Sequence, residues 1–504
     1  MEELEYLKMT SARRFFYRTG RILKKAPQSV VRGAIRIPMK LKGGAERLYD
    51  GVSELQRGFS EGDAKTRISY LLMGFGLLFR GQIARGILYL LFEAVFLVYM
   101  ILFGWRYLLD LRHLGRVASE SYTDPETGLT FQRYVDNSML ILLYGILTVF
   151  FVLSFCYVWY RNCRSNIEAQ RMRELSIPLP RLRDDLRALT DRQFYKTLLA
   201  LPLSGIVIFT VLPIVFMILI AFTNYDARHQ PPGALFSWVG LENFRALFGL
   251  SSVSGGMKFG YTFGQVLIWT LLWAFFATFT NYFLGMLVAI LINRKGIRLK
   301  RLFRTILVLT IAVPQFVSLL LVSRMFADDG IVNGILMSFG LIQEKIPFLS
   351  LGTYARVMVI LINIWVGIPY LMLIATGILM NIPEDLYESA RIDGAGPFRV
   401  YMKITLPYML FVTTPYLITS FIQNINNFNV IYLLTGGAPA TMEYETPAGY
   451  TDLLVTWLYK LTMSQTSDYK MAAVIGIMVF LVIAVFSLIV YNNTGSVKHE
   501  EDFG

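Results

Sequence analysis

Charged residues are scarce in this chain of 504 residues, and histidine and cysteine are nearly missing. Asp, Glu, Lys and Arg make up 16% of it, with 3 His and 2 Cys. Because about 25% of a typical soluble domain is charged, this composition excludes an ordinary soluble fold. Cys156 and Cys163 lie close together near the end of one apolar segment. The sequence therefore predicts neither a disulfide framework nor a metal site.

Apolar residues take the place of the missing charges. They form 55% of the chain, and they gather into segments long enough to cross about 30 Å of hydrocarbon. The sequence therefore predicts an all-α polytopic membrane protein. The eight predicted spans are residues 83–105, 138–160, 196–223, 264–292, 302–325, 352–380, 406–429 and 471–492.

A shorter apolar piece, ISYLLMGFGLLF at residues 68–79, precedes the first predicted span. It is shorter than a spanning helix, which needs about 20 residues. We therefore predict an interfacial or re-entrant helix over residues 68–79. If this piece crossed the membrane, the amino terminus would lie outside.

Basic residues indicate how the spans are oriented. The formal net charge of +13 comes from Lys and Arg in short segments beside apolar runs, and such segments face the cytoplasm. Residues 160–187 and 293–304 are rich in Arg, whereas Lys345 is the only base in residues 328–350. Both termini are therefore predicted to be cytoplasmic, and nucleic acid is not a predicted partner. The loop at residues 106–137, predicted outside, fits less well because it carries several Arg.

Residues 1–60 are basic and lack the apolar core of a signal peptide. We predict that residues 1–66 form a cytoplasmic arm, which anionic lipid attracts with about 1 kcal/mol per base near the surface. A solvated, partly ordered tail is the alternative. Within the first span, the acidic Glu93 is predicted to pair with Arg85 or with a backbone group.

The segment NIPEDLYESARIDGAGPFRVYMKITLPYM lies between the sixth and seventh predicted spans. Pro383 suits the first turn of a helix, the two acids after it complement the positive helix end, and Gly394 can form a left-handed cap. A second short helix is predicted to begin at Phe398 and to end where Pro407 re-enters the membrane. Such a helix-turn-helix on the inner surface can transmit force to a soluble partner.

This segment resembles the EAA signature of permease subunits of ATP-binding cassette (ABC) importers. The resemblance implies docking onto a cytoplasmic ATPase through Glu388, Ala390, Asp393, Gly394, Ala395, Ile404, Leu406 and Pro407. The stretches AFTNYD, AVPQF, NIWVGIPYLM, NNFNVIYLLTGGAP and TPAGYTDLLV extend the resemblance over residues 196–492, to the MalF-like permeases for maltose and oligosaccharides. The implied fold is a type I ABC importer permease core of six spans, preceded by two amino-terminal spans.

The resemblance divides the chain into five predicted parts. They are a basic arm at 1–66, an amino-terminal membrane region at 67–160, a cytoplasmic linker at 161–195, the permease domain at 196–492 with its EAA coupling loop at 381–407, and a cytoplasmic tail at 493–504. Only about 40 residues separate Tyr225 from Tyr261, where some MalF-like permeases carry a large extracytoplasmic domain. A lipid-tethered binding protein is one way to replace its contribution.

The central parts of the six core spans lack Asp, Glu, Lys, Arg and His, although paths for charged solutes or protons normally need such groups. They contain amides and aromatic rings instead, which suit the hydroxyls and the apolar face of a sugar. The densest group is SFIQNINNFNV at residues 420–430.

Helical geometry sorts the amides of this stretch. At about 100° per residue, Gln423, Asn424 and Asn427 share one face, predicted to line a pathway, while Asn426 and Asn429 point away and are predicted to pack. Hydrogen bonding between helices is the alternative role for any single amide.

The resemblance also implies a set of substrate-binding residues. They are Gln315, Asn363, Val366, Gly367, Tyr370, Gln423, Asn424 and Asn427. Ile311, Gln315 and Gln423 stand where MalF-like permeases have tyrosine, serine and phenylalanine. Because these changes alter both shape and hydrogen bonding, a neutral oligosaccharide is implied, but maltose itself is not.

The sequence thus predicts a permease subunit of an ATP-driven, binding-protein-dependent importer of neutral oligosaccharides, in the plasma membrane of a bacterium. No G-x-x-x-x-G-K-[ST] loop appears, so the chain is predicted to bind no cofactor and to be no enzyme, while separate ATPase subunits use ATP and Mg²⁺. The implied partners are a MalG-like second permease, an ABC ATPase dimer, an extracellular sugar-binding protein, the oligosaccharide and membrane lipid.

Two alternatives remain open. One is a permease for another neutral solute, such as a polyol. The other is a membrane enzyme acting on lipid-linked sugars, which would need acids or histidines at the interface. The scattered His113, His229 and His499 argue against the enzyme.

Overall fold

The computed structural model describes residues 49–123, 129–249, 256–294, 297–445 and 447–493. Residues 1–48 of the predicted basic arm and residues 494–504 of the predicted tail lie outside this part of the chain. The basic arm therefore stays a prediction.

The described residues contain 7 helices long and apolar enough to cross a membrane, or up to 8 if a broken pair counts as one span. Lys300–Ala312 and Gln315–Met325 form this pair and are bent by 93°. This pair covers the predicted span at 302–325, which is therefore broken if it crosses the membrane, while the other predicted spans each fall mainly within one helix. These helices are Ile83–Asp110, Ser138–Glu174, Phe194–Ile220, Lys258–Asn293, Gly352–Leu379, Pro397–Ile425 and Tyr469–Val490.

The remaining elements are short. Residues 49–60 are helical, and the other short helices are Ala64–Ile68, Phe75–Leu78, Leu182–Thr190, Glu242–Leu247, Ile331–Ser338, Glu384–Ile392, Phe428–Leu434 and Leu454–Met463. Two antiparallel strands, Ser119–Thr123 and Thr130–Tyr134, pair with Ser119 opposite Tyr134. The described residues are thus mostly helical, and the sequence analysis did not predict this pair of strands.

The chain divides into two compact units, one up to Trp238 and one from Val239. The first contains the Phe194–Ile220 helix, and the second contains the five later spans and the EAA segment. The domain boundaries inferred from the sequence, including the start of the permease domain at residue 196, stay a prediction.

In the first unit, residues 68–79 do not form one helix. Ala64–Ile68 and Phe75–Leu78 are separate helices, and the turns between them leave Gly74 N and Ser69 O without a backbone partner. Asn162, on the Ser138–Glu174 helix, supplies the missing bonds: its Oδ1 accepts from Gly74 N at 2.8 Å, and its Nδ2 donates to Ser69 O at 2.8 Å. Buried irregular backbone needs such partners. The predicted helix over residues 68–79 is therefore wrong, because the Asn162 side chain stabilises a folded loop there instead.

Glu93 belongs to the same arrangement. Its Oε2 accepts a hydrogen bond from Met73 N at 2.7 Å, so the predicted pairing with a backbone group is confirmed. Arg85 pairs with Asp185 on the Leu182–Thr190 helix instead of with Glu93. The buried acid of this span therefore has a structural partner.

In the second unit, the Lys258–Asn293 helix packs closely along the Gly352–Leu379 helix. Gly367 makes this possible, because a Cβ atom at that position would lie 2.2 Å from Asn281 Nδ2. Small residues at helix contacts are the usual means by which membrane helices approach each other. The core around this contact includes Trp273, Val359 and Ile362.

A folded loop follows the Phe428–Leu434 helix and contains a fully buried carboxylate. Asp452 Oδ2 lies 2.7 Å from Lys460 Nζ and also accepts from Gly449 N at 2.7 Å, while Asp452 Oδ1 accepts from Thr456 Oγ1 at 2.8 Å. Burial raises the pKa of Asp452, and the charge and hydrogen bond of Lys460 act against that rise. This network holds the loop on the Leu454–Met463 helix.

Candidate functional site

The broken helix pair forms a cavity at Pro314. Pro314 cannot donate a backbone hydrogen bond, and Val313 before it adopts an extended conformation (φ −78°, ψ 127°), as a residue before proline prefers. The chain therefore turns sharply before Gln315 begins the next helix. A cavity of about 260 Å³ lies between this turn and the Gly352–Leu379 helix.

Three of the predicted substrate-binding residues line this cavity: Gln315, Val366 and Tyr370. Ile311, one of the positions that differ from MalF-like permeases, lines it too. The other lining residues were not in the predicted substrate-binding set, and they are Thr310, Val313, Pro314, Ser318 and Trp365. Thr310 and Ser318 could have been found, because they lie one turn on either side of Pro314 and carry hydroxyls.

No Asp, Glu, Lys, Arg or His occurs among the residues that line the cavity. Its polar groups are one amide and the hydroxyls of Thr, Ser and Tyr, set among apolar and aromatic side chains. Such a lining can hydrogen-bond and stack on a neutral polar molecule, whereas a charged one would lack a counter-charge.

Asn363 and Gly367 are predicted site residues that do not line the cavity. Asn363 is only 5% exposed, and its Nδ2 has no hydrogen-bond partner. Asn281, which packs against Gly367, is 6% exposed, and its Oδ1 also lacks a partner. Buried polar atoms are normally paired. The Gly352–Leu379 helix therefore carries an unpaired donor, Asn363 Nδ2, and the facing Lys258–Asn293 helix carries an unpaired acceptor, Asn281 Oδ1.

The amide stretch at residues 420–430 is interrupted. The spanning helix ends at Ile425, and Asn427 caps the Phe428–Leu434 helix by accepting a hydrogen bond from Val430 N at 3.2 Å. Asn is among the preferred N-cap residues. Gln423, Asn424 and Asn427 were predicted to share one face of a continuous helix. This prediction is wrong for Asn427, because the helix ends at Ile425 before it.

The remaining amides fall into two groups. Asn424 Nδ2 donates to Thr278 Oγ1 at 3.0 Å, and Asn427 Nδ2 donates to Asn424 Oδ1 at 3.2 Å. Gln423, by contrast, is exposed. None of these three lines the Pro314 cavity. The predicted substrate-binding residues thus occupy two places: the Pro314 cavity with its neighbouring helix, and the interruption at Asn426.

The EAA segment forms a helix, a turn and a second helix. Glu384–Ile392 is the first helix, with Pro383 as its N-cap, one position before the predicted first turn. Gly394 has φ 70°, which confirms the predicted left-handed conformation. The second helix was predicted to be short, but it runs without interruption from Pro397 to Ile425. A π turn at Tyr401–Thr405 precedes Pro407 and accommodates its missing N–H.

Half of the eight predicted coupling residues lie on the surface of this segment. Glu388, Asp393, Gly394 and Pro407 are exposed, whereas Ala390, Ala395, Ile404 and Leu406 are half-buried. Tyr387 Oη and Thr405 Oγ1, 3.2 Å apart, connect the two helices. The sequence analysis did not single out Ile392, which is 86% exposed, or emphasise Phe398, which is 77% exposed. Large apolar side chains so exposed indicate a contact surface.

Comparison with known proteins gives consistent matches. The family profile described as "Binding-protein-dependent transport system inner membrane component" matches residues 281–496. The galactooligosaccharides transport system permease protein GanP of Bacillus subtilis (strain 168) is 39% identical over 368 residues, covering 72% of this chain and 85% of that protein.

Two further relatives carry maltose or maltodextrin in their names. The maltodextrin transport system permease protein MalC of Streptococcus pneumoniae serotype 4 is 31% identical, covering 87% of this chain and 97% of that protein. The maltose/maltodextrin transport system permease protein MalF of Escherichia coli (strain K12) is 38% identical over 53% of this chain and 51% of that protein.

Proposed function

This chain belongs to the family of binding-protein-dependent transport system inner membrane components, and from that premise we propose that it carries neutral oligosaccharides. It is an integral membrane protein and a permease subunit of an ABC importer, not an enzyme. The substrate class, the residues that bind it and the subunits that power transport are the proposed parts.

One observation carries the proposed substrate: the Pro314 cavity offers hydroxyls, an amide and aromatic rings without a charged side chain. A sugar hydroxyl both donates and accepts hydrogen bonds, as does the Gln315 amide. Trp365 and Tyr370 can cover the apolar face of a sugar ring. The relatives named for galactooligosaccharides and maltodextrin have substrates of the same chemical kind.

The unpaired amides extend this site. Asn363 Nδ2 lacks an acceptor and Asn281 Oδ1 lacks a donor, so a small movement of either helix would let a hydroxyl or water satisfy them. The two interruptions, at Pro314 and at Asn426, are where the helices can change direction with little loss of backbone hydrogen bonding. Interrupted helices beside a binding site are a recurrent means of alternating access.

The EAA segment is proposed to dock on an ATPase dimer that binds ATP and Mg²⁺. Its exposed Glu388, Ile392 and Phe398 offer one acid and two apolar contacts. Because the second EAA helix continues to Ile425, motion at the docking surface can reach the amides through one element. Docking on a cytoplasmic ATPase would require the EAA segment to face the cytoplasm, and both termini are proposed to lie on the same side.

The other proposed partners are a MalG-like permease, membrane lipid and an extracellular sugar-binding protein, which a lipid anchor can hold. An apolar cavity of about 660 Å³ lies between Gln315–Met325 and Gly352–Leu379, and it suits a helix of the second permease. The loop after Tyr225 is short, so the binding protein is proposed to dock on the loops themselves.

The test is transport and ATP hydrolysis by the full-length chain, purified with its bound subunits and reconstituted in vesicles with its binding protein. Maltodextrins and galactooligosaccharides are compared with a polyol and with an acidic oligosaccharide. We expect only the neutral oligosaccharides to stimulate hydrolysis and to accumulate. Stimulation by the acidic sugar alone would disprove the proposed substrate class.

Coupling is tested separately with Glu388→Ala and Phe398→Ala. Both variants are expected to reduce transport at least about tenfold, which corresponds to about 1.4 kcal/mol of lost docking energy, while binding of the sugar persists. Phe480→Ala is the control, because Phe480 is an exposed apolar residue on the Tyr469–Val490 helix, outside both the EAA segment and the loops. Equal losses in all three variants would contradict the proposed docking surface.

A further inference from the structure

Three aromatic rings form a cluster directly after the amide stretch. Phe428 and Tyr432 lie one turn apart on the Phe428–Leu434 helix and stack with centroids 4.7 Å apart and planes at 20°. Tyr459, on the Leu454–Met463 helix, meets Phe428 edge to face at 4.9 Å and Tyr432 at 5.2 Å. We call Phe428, Tyr432 and Tyr459 the aromatic platform.

The platform is held rigidly on both sides. Asn427 caps the helix that carries Phe428 and Tyr432, and Ser323 Oγ donates to Leu434 O at the other end of that helix at 2.6 Å. Lys460, next to Tyr459, is fixed by its ion pair with the buried Asp452. Two rigid elements therefore set the positions of the rings before any ligand arrives, which lowers the entropic cost of binding.

Part of the platform remains open. Tyr432 is 38% exposed, although two other rings contact it. Two amides flank the platform, Asn426 before the interruption and Asn429 beside Phe428, and both are exposed. The sequence analysis predicted that these two amides pack between helices. Their exposure contradicts that prediction and leaves them available to a ligand.

We propose that the aromatic platform, together with Asn426 and Asn429, is a second carbohydrate site that holds the additional sugar units of a longer oligosaccharide. This inference rests on the proposed function. The exposed ring of Tyr432 can cover the apolar face of a sugar ring, and the neighbouring amides can bond its hydroxyls. Phe428 follows Asn427 directly, so a chain bound at the Asn424 and Asn427 amides needs only a short extension to reach the platform.

The expected consequence is selectivity for length. A disaccharide bound at the Asn424 and Asn427 amides would not need the platform, whereas a hexasaccharide would contact both places. Removing a ring should therefore weaken long substrates and leave short ones unchanged. A purely structural role of the rings would instead affect all substrates alike.

The experiment measures the KM for transport of a disaccharide and of a hexasaccharide, from both the maltodextrin and the galactooligosaccharide series, by the full-length chain with its bound subunits in vesicles. Tyr432→Ala is expected to raise the KM of the hexasaccharide about two- to tenfold, the usual range for loss of one aromatic contact, with the disaccharide unchanged. Tyr432→Phe keeps the ring and should behave as the wild type.

Asn429→Ala protects the test against a folding defect, because Asn429 is exposed and its truncation leaves the ring cluster intact. Its KM for the hexasaccharide should rise less than that of Tyr432→Ala, and its KM for the disaccharide should not change. Tyr354→Ala is the matched control, since Tyr354 is an exposed tyrosine of the same unit outside the platform. Its KM values should not change.

Two results would overturn the inference. One is an equal change for short and long oligosaccharides in Tyr432→Ala, or no change in either. The other is loss of the bound subunits from Tyr432→Ala and Asn429→Ala, which would identify a protein interface. Failure of the wild type to transport any neutral oligosaccharide would instead refute the proposed function, so the two failures are distinguishable.

Discussion

Asn162 in the first unit and Asn363 in the second are the same residue type with nearly the same burial, yet their surroundings differ. Asn162 is fully buried, and both ends of its amide bond backbone groups, of Gly74 and Ser69. Asn363 is also buried, but its Nδ2 has no partner. Burial alone therefore does not reveal what an amide does in this protein.

The difference separates structural from functional polar groups. A paired amide replaces the hydrogen bonds that the surrounding backbone would otherwise lack, so its contribution is to stability. An unpaired one costs stability by itself, because its desolvation is not compensated. A protein can retain such a group when a ligand pairs with it, and Asn363 lies one turn from Val366 and Gly367, beside the Pro314 cavity.

The largest effect is expected at Asp452, a paired buried group in the same unit as the unpaired Asn363. This variant tests whether pairing makes a buried polar group important for stability in either unit. Asp452→Ala leaves Lys460 and Gly449 N without their partner. We expect a loss of about 3–5 kcal/mol in the free energy of unfolding, as when one member of a buried pair is removed. Thermal unfolding of the purified full-length chain measures it.

Asp329→Ala is the control for that experiment, because Asp329 and Lys345 form an exposed ion pair in the same unit. Solvent screens the attraction within a fully exposed pair, so its melting temperature should barely change. Similar losses in both variants would show that the buried pairing of Asp452 has no special importance.

A loss of similar size is expected for Asn162→Leu, which removes the paired, structural amide of the comparison. Its removal leaves Gly74 N and Ser69 O buried without partners, at about 1–3 kcal/mol each. The loop around residues 69–76 should open, seen as faster hydrogen exchange and a lower melting temperature. Cys156→Ala, on the exposed side of the same helix, should leave both unchanged; an unaltered Asn162→Leu protein would contradict the comparison.

Asn424 is an intermediate case, because it is paired yet predicted to bind substrate. Its bond to Thr278 joins two helices, and such bonds contribute about 0.6 kcal/mol on average in membranes. Asn424→Ala should therefore lower stability slightly and raise the KM for transport. Thr278→Val removes the same bond without touching the proposed substrate contact. If Thr278→Val impairs transport as much, Asn424 acts only between helices.

Apolar length was enough to predict where the spans lie, because a segment that crosses the membrane must satisfy its backbone within a helix. The same rule explains why the charge-poor segments became long helices. Gly394 was also predictable, since a left-handed turn favours glycine.

The interruptions were not predicted, because they depend on side chains that compete with the helix for backbone groups. Asn427 caps a new helix through Val430 N, a role that its residue type could have indicated. A proline within an apolar run can kink a span as well as end a helix, so Pro314 alone did not indicate a bend of 93°. For residues 68–79, the stabilising partner Asn162 is distant in the sequence, so no local pattern could have indicated it.

The unpaired amides were equally hidden, since the sequence states that an amide is present but not whether it has a partner. Asn363 was included in the site through the resemblance, whereas the implied set of substrate-binding residues did not contain Asn281. Their shared property, burial with an atom left unpaired, emerges only when the facing helices are in place.

The most direct test is Asn363→Leu, with melting temperature and transport measured on the same reconstituted protein. The account predicts a free energy of unfolding within about 1 kcal/mol of the wild type, because an uncompensated buried donor is removed. It also predicts a rise of at least about tenfold in the KM for the neutral oligosaccharide, the loss of one or two substrate hydrogen bonds. A strongly destabilised protein with an unchanged KM would contradict it, and would place Asn363 with Asn162 among the structural amides.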